Sequence, residues 1–195
     1  MNIAIIDYGA GNIRSVQFAL ERFGLTASCT SDADDIRRAD KVIFPGVGTA
    51  DRVMKELRKK ELDRIIPQLK QPVLGICVGM QVMCNHSQEG HTDGLGIFPI
   101  NVLRFSEKEK VPHMGWNTIQ NLQSGLLQKI EAGSFVYYVH SYYAPVSEYT
   151  IAITHYQTEF SAMLKKENFY ACQFHPEKSG RTGHQILQNF LFEIN

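Results

Sequence analysis

The order of apolar runs predicts an α/β fold: a central, mostly parallel sheet, helices on both of its faces, and antiparallel strands added in the second half. Three observations carry this. Short apolar runs alternate with helix-period segments through the first half of the 195-residue chain, which is the pattern of strands joined by crossover helices. Beyond residue 100, strand-like runs follow one another with polar turns between them. A last segment then returns to helical spacing.

Residues 2–6 are a short apolar run closed by Asp7-Tyr8-Gly9-Ala10-Gly11, a buried strand and then a loop. Ile13, Val16, Leu20 and Phe23 recur at three- and four-residue steps, a helix that Gly24 ends. Residues 26–30 read as a strand, and Ser31-Asp32 can cap a short helix through Arg38. Residues 41–44 form another buried strand, and helical periodicity runs over 51–69, up to and beyond Pro67. A strand over 72–76 and a helix over 78–86 follow. In the second half, 101–105, 135–143, 150–156, 162–165 and 169–174 read as strands. The closing helix puts Ile186, Leu187, Phe190, Leu191 and Ile194 on one face. No repeat, low-complexity tract or linker divides the chain, so residues 1–195 are expected to form one domain.

Composition excludes several classes. Hydrophobic residues make up 44% and charged residues 21%, the balance of an ordinary globular protein. A net charge of zero removes any global electrostatic case for nucleic acid or an anionic membrane. Local basic runs are offset: Arg58-Lys59-Lys60 lies between Glu56 and Glu61, and Lys108 and Lys110 alternate with Glu107 and Glu109. The N-terminus lacks a signal-peptide pattern and no run approaches the ~20 apolar residues of a membrane span, so a cytoplasmic protein is expected. The four cysteines show neither CxxC nor zinc-type spacing, and no metal is expected. Cys77 and Cys84, on one helix, would lie roughly 10 Å apart, too far for a disulfide. Gly9-Ala10-Gly11 lacks the third glycine of a dinucleotide fingerprint, because Arg14 stands there.

One stretch carries chemistry. In Gly75-Ile76-Cys77-Val78-Gly79 a cysteine sits between two glycines where a strand gives way to a helix. This is the layout of a nucleophile elbow, whose sharp turn lifts the side chain above the sheet edge. The glycines leave room for that turn. The helix start would favour thiolate and place the Val78 N–H to bind an oxyanion. The same residues would also suit a buried core cysteine beside packing glycines. His175 and Glu177, two apart on an extended chain and fixed by Pro176, can lie side by side, base and orienter. Gly46-Val47-Gly48 follows a predicted strand and so reaches the same sheet edge, either as a second oxyanion donor or as a plain Pro-Gly turn.

Together with Asp7-Tyr8-Gly9-Ala10-Gly11-Asn12, Pro112-His113-Met114-Gly115-Trp116-Asn117, His140-Ser141-Tyr142-Tyr143 and Phe174-His175-Pro176-Glu177, the chain resembles the class I (triad) glutamine amidotransferases. Most similar are the glutaminase subunits of imidazole glycerol phosphate synthases. The resemblance implies a flavodoxin-like domain that hydrolyses L-glutamine to glutamate and ammonia without a cofactor. It implies a heterodimer with a (β/α)8-barrel cyclase, of the HisF type, to which ammonia passes in histidine biosynthesis. The cyclase then forms imidazole glycerol phosphate and the aminoimidazole carboxamide ribotide. By position, Cys77 is the nucleophile, His175 the base and Glu177 its orienter. The backbone at Val47, Gly48 and Val78 serves the oxyanion, and Gln81, Ser141 and Tyr142 hold the α-amino and α-carboxylate groups. Asn12, Trp116, Tyr137 and Lys178 face the cyclase, although buried core is the other reading of Trp116. Val78 stands where leucine is commoner, and Cys84 and His184 lie outside the pattern. Three alternatives keep the fold: a paralogue feeding surface-sugar synthesis, a thiol-sensing or partner-binding module, and a γ-glutamyl hydrolase.

Overall fold

The computed structural model describes residues 1–9, 12–108 and 110–194. The loop reading at Ala10 and Gly11, the acid at Glu109, and Asn195 lie outside the described residues.

Strands β1 (Ile3–Ile6), β2 (Ala27–Thr30), β3 (Lys41–Phe44) and β4 (Val73–Ile76) are interleaved with helices α1 (Ile13–Glu21), α2 (Ala33–Arg38), α3 (Ala50–Lys59) and α4 (Leu62–Ile65). Then come α5 (Val78–Met83) and strands β5 (Cys84–Ser87), β6 (Thr92–Asp93), β7 (Phe98–Arg104), β8 (His113–Thr118), β9 (Phe135–His140) and β10 (Tyr142–Tyr143). The chain closes with β11 (Thr150–Tyr156), β12 (Thr158–Lys166), β13 (Phe169–Cys172) and α6 (Gly180–Phe192). The main sheet has the order β11-β12-β13-β4-β3-β1-β2, parallel from β13 to β2 and antiparallel at the β11-β12-β13 end. A second sheet, β10-β7-β5-β6, and the β8–β9 hairpin stand beside it. The expected architecture is therefore present. β1, β3 and β4 are buried along their whole length, as strands covered on both faces must be. Because β1, β3, β4 and β13 run the same way, the segments after them emerge at one edge, where open α/β sheets place their sites.

Several boundaries differ from the sequence reading. The helix expected over 51–69 breaks at Glu61, which is left-handed (φ 57°); the turn lets Leu57, Leu62 and Ile66 all enter the core. The helix expected over 78–86 stops at Met83. Its last carbonyls are taken by the amides of the following loop, Leu95 N–H on Val82 O and Ile97 N–H on Met83 O. Cys84 thus begins a strand rather than sitting on the elbow helix. The run 135–143 divides at Ser141: β9 pairs with β8, whereas β10 pairs with β7. β8 itself was not expected, since Gly115 and Asn117 interrupt its apolar alternation. Asp32 does cap α2, its Oδ1 accepting from the amides of Asp34 and Asp35 at 2.9 Å each.

Candidate active site

Cys77 lies between β4 and α5 with φ 54° and ψ −111°, a conformation that a residue with a side chain rarely adopts. Its N–H donates to Cys172 O at 2.8 Å and its carbonyl accepts from Gln81 N–H at 3.2 Å, so sheet and helix together hold the turn. Two glycines here, Gly79 beside Cys77 and Gly46 after β3, have a definite task. A Cβ on Gly79 would lie 2.3 Å from Phe44 O, and one on Gly46 would lie 2.0 Å from Gly79 N. Each lets the segment after β3 lie backbone-to-backbone against the elbow.

His175 enters the same edge from the segment after β13. Its N–H donates to Tyr137 O at 3.0 Å, tying it to the β8–β9 hairpin. His175 Nδ1 is 2.8 Å from Glu177 Oε1, and both side chains are almost wholly buried. Among the described residues the other Glu177 oxygen has no hydrogen-bond partner. Burial opposes charge on His175, but the interactions with Cys77 and Glu177 outweigh it and push the imidazole up to about 10. The expected trio is thus brought together. The remaining buried thiols differ: burial pushes Cys84 up to about 12 and Cys172 well above its ordinary value, which leaves them inert. Around the Cys77 sulfur, Gln173 Nε2 donates from 3.8 Å and Val139 O lies at 3.9 Å.

A cavity of about 240 Å³ opens beside the sulfur, its wall including Gly48, Gln81, Glu89, Ser141 and Tyr142. The Val78 amide, in the first turn of α5, is among those that lack an acceptor within the helix. Gly48 and Val78 thus line the cavity together with Cys77. Val47 does not present its amide there: that N–H donates to the hydroxyl of buried Tyr8 at 3.3 Å.

The family model for "Glutamine amidotransferase class-I" matches residues 4–194. The chain belongs to the class-I glutamine amidotransferases. It is similar to the imidazole glycerol phosphate synthase subunit HisH of Bacteroides fragilis (strain YCH46), 57% identical over 194 residues that cover 98% of this chain and 99% of that one. Against the subunit of the same name from Haemophilus influenzae (strain Rd), identity is 43% over 196 residues, covering 100% and 98%. Among solved structures, one described as a glutamine amidotransferase superposes with a TM-score of 0.76 at 15% identity, covering 97% of this chain and 96% of that one. PurLQS from Thermotoga maritima superposes at 0.69 with 18% identity, covering 97% of each. These two likenesses concern the fold.

The amidotransferase places polar side chains at the cavity and beside the sulfur that sequence reading missed. Glu89 reaches the cavity wall while its Oε2 accepts from Ala50 N–H at 2.7 Å, and burial raises its pKa. It sits in a polar turn, Gln88-Glu89-Gly90, with no spacing to mark it. Gln173, beside the sulfur, and His140, in the cavity wall, have no spacing of their own to mark them. On the outer face, Trp116 is 55% exposed and pairs across the hairpin with Tyr137, ring centroids 6.0 Å apart, so it is not core. Met114 and Phe135 are exposed beside them. Lys178 lies on the turn Pro176–Lys178, against which α1 packs, and Asn12 precedes α1.

Proposed function

We propose that this amidotransferase is the glutaminase subunit of an imidazole glycerol phosphate synthase, and that residues 1–195 act as one domain. The observation that carries the reading is the buried His175–Glu177 pair beside a strained Cys77 at the mouth of a small cavity. That arrangement suits acyl transfer from a small amide. The relatives named imidazole glycerol phosphate synthase subunit HisH, matched over nearly their full length, support that reading.

Cys77 Sγ, its thiol proton already passed to His175, attacks the glutamine side-chain carbonyl carbon. The tetrahedral oxyanion is stabilised by the Val78 and Gly48 amides, with the Val47 amide joining once it leaves Tyr8. Collapse breaks the C–N bond; His175 returns the proton to the leaving nitrogen, giving ammonia and a thioester. Water then attacks with His175 as base, releasing glutamate and the free thiol. Glu177 keeps His175 Nδ1–H pointed at itself, so Nε2 faces the sulfur. Gln81, Ser141, Tyr142 and Glu89 suit the α-amino and α-carboxylate groups; the Glu89 carboxylate complements an ammonium.

Met114, Trp116 and Phe135 offer an apolar outward face on β8 and β9, flanked by Tyr137, Lys178 and Asn12, for a (β/α)8-barrel cyclase of the HisF type. Ammonia passes to that subunit, which forms imidazole glycerol phosphate and the aminoimidazole carboxamide ribotide.

The test is glutamate release from glutamine by the chain alone, and then with a histidine-pathway cyclase and its nucleotide ligand. Strong stimulation by the pair is expected. High activity alone with no response would point to another ammonia acceptor.

A further inference from the structure

A chain of hydrogen bonds leads from Asn117 through His113 to His140 and Tyr142 in the cavity wall, and the mechanism above gives the two histidines no part. Asn117 Oδ1 accepts from Thr118 N–H at 2.8 Å, and Asn117 Nδ2 donates to His155 O at 3.0 Å. Two backbone groups of known polarity therefore fix the orientation of this carboxamide. The same Nδ2 faces His113 Nε2 at 3.2 Å, so that ring nitrogen must be a bare acceptor. His113 then carries its proton on Nδ1, 2.9 Å from His140 Nε2. Since His140 accepts there, its own proton is on Nδ1, 2.8 Å from Tyr142 O. Every donor points toward the Tyr142 carbonyl. A second proton on either ring would set two N–H groups against each other.

The surroundings agree with two neutral rings. His113 stacks between Tyr138 and Tyr156, centroids 4.7 and 4.1 Å away, with Phe105 and Phe160 edge-on. Burial lowers His113 to about 4 and His140 to about 3, with the imidazoles of His113 and His175 adding to the effect on His140.

The Tyr142 carbonyl takes a further hydrogen bond from Gln81 Nε2 at 2.9 Å, and that nitrogen also donates to Gln173 Oε1 at 3.0 Å. Both amide hydrogens of Gln81 are thus engaged. Its Oε1 is left as an acceptor at the cavity wall.

We propose that His113 and His140 are positioning residues: they hold the Tyr142 carbonyl, and through it the Gln81 carboxamide, so that Gln81 Oε1 meets the α-ammonium of glutamine. This rests on the glutaminase reading and deepens it. The pair then governs selectivity for amides that bear an α-amino group, while the reacting carbonyl is handled by Cys77 and the oxyanion donors. Misplacing one acceptor of a charged group costs on the order of 10- to 100-fold in binding.

The experiment compares glutamine with glutaramate, the same amide without the α-amino group, in the presence of the synthase partner. For His140→Leu, kcat/KM for glutamine falls about 10- to 100-fold, mainly through KM, while that for glutaramate changes by less than about threefold. His140→Asn, whose Nδ2–H replaces the ring Nδ1–H, restores most of the loss. An equal fall for both substrates, or Asn no better than Leu, overturns the proposal. If the Leu variant does not fold, ¹⁵N chemical shifts of the wild-type histidines decide. Both rings are expected neutral with the proton on Nδ1 between about pH 5.5 and 8; an Nε2–H tautomer or an imidazolium at either ring overturns it. Wild-type protein that turns over no glutamine removes the glutaminase reading and the proposal together. Turnover with an unchanged glutamine preference in His140→Leu removes only the proposal.

Discussion

The Val47 amide donates to the Tyr8 hydroxyl at 3.3 Å, which turns an expected oxyanion donor away from Cys77. Tyr8 is fully buried at the end of β1 and packs edge-on against Phe44, 5.9 Å away, so its hydroxyl is held in place. A net hydrogen bond of this kind contributes about 1 kcal/mol. Tyr8→Phe is therefore expected to raise partner-free glutamine turnover by about fivefold, since the freed peptide reorients more readily. That is well below the ~100- to 1000-fold that a complete oxyanion donor supplies. Glutamate release by the isolated variant checks this; a rate equal to or below wild type would refute it.

Removing the nucleophile should leave binding and end chemistry. Cys77→Ala is expected to lower glutamine turnover by at least about 10⁴-fold, with glutamine affinity by calorimetry little changed. Cys84→Ala and Cys172→Ala should keep their chemistry, because burial holds both thiols protonated. Turnover surviving in Cys77→Ala would remove the covalent mechanism.

Glu177→Gln tests the orienter and carries a pH signature. Its rate is expected to fall by about 10²- to 10⁴-fold. The sign of the stability effect follows from the imidazole. Folding raises His175 from 6.5 to about 10, so its contribution is fully present below pH 6.5 and is lost as pH rises through about 10. Removing the Glu177 charge takes away part of that stabilisation, so wild type and variant should converge in stability toward pH 10. Urea midpoints at pH 6, 8 and 10 read this directly, and a gap that widened with pH would contradict it.

Gly79→Ala should disturb both function and folding. Its Cβ would meet the Phe44 carbonyl at 2.3 Å, and backbone on both sides leaves little room to yield. A loss of about 1–3 kcal/mol is expected, read as a lower denaturant midpoint at unchanged m-value, with activity reduced more than stability alone explains. An unaffected variant would show that the elbow and the segment after β3 separate easily.

Trp116→Ala tests the outward face. A half-exposed Trp packed on Tyr137 is the kind of anchor whose loss costs about 2 kcal/mol in binding, roughly a 30-fold weaker complex. Titration of the cyclase against the variant by calorimetry measures it; unchanged affinity would place the interface elsewhere.

Much of this protein follows from local chemistry. Strands buried on both faces are unbroken apolar runs, so β1, β3 and β4 were legible as such. The elbow was legible because a strained turn needs small neighbours; the His-x-Glu pair was legible as a pair, but the two side chains meet on the tight turn Pro176–Lys178 and not along the extended chain that the spacing predicted. What the chain alone left open depends on who meets whom across it. Whether helix 78–86 continues past Met83 is decided by the amides of residues 95–97, and whether 135–143 stays one strand by a change of partner from β8 to β7. Glu89, Gln173 and the His113–His140 pair gain meaning only from groups many residues distant, and the Val47 amide only from Tyr8. Spacing along a chain encodes periodicity and turn chemistry; hydrogen-bond direction and burial belong to the folded arrangement, because both are set by the groups that close around a side chain.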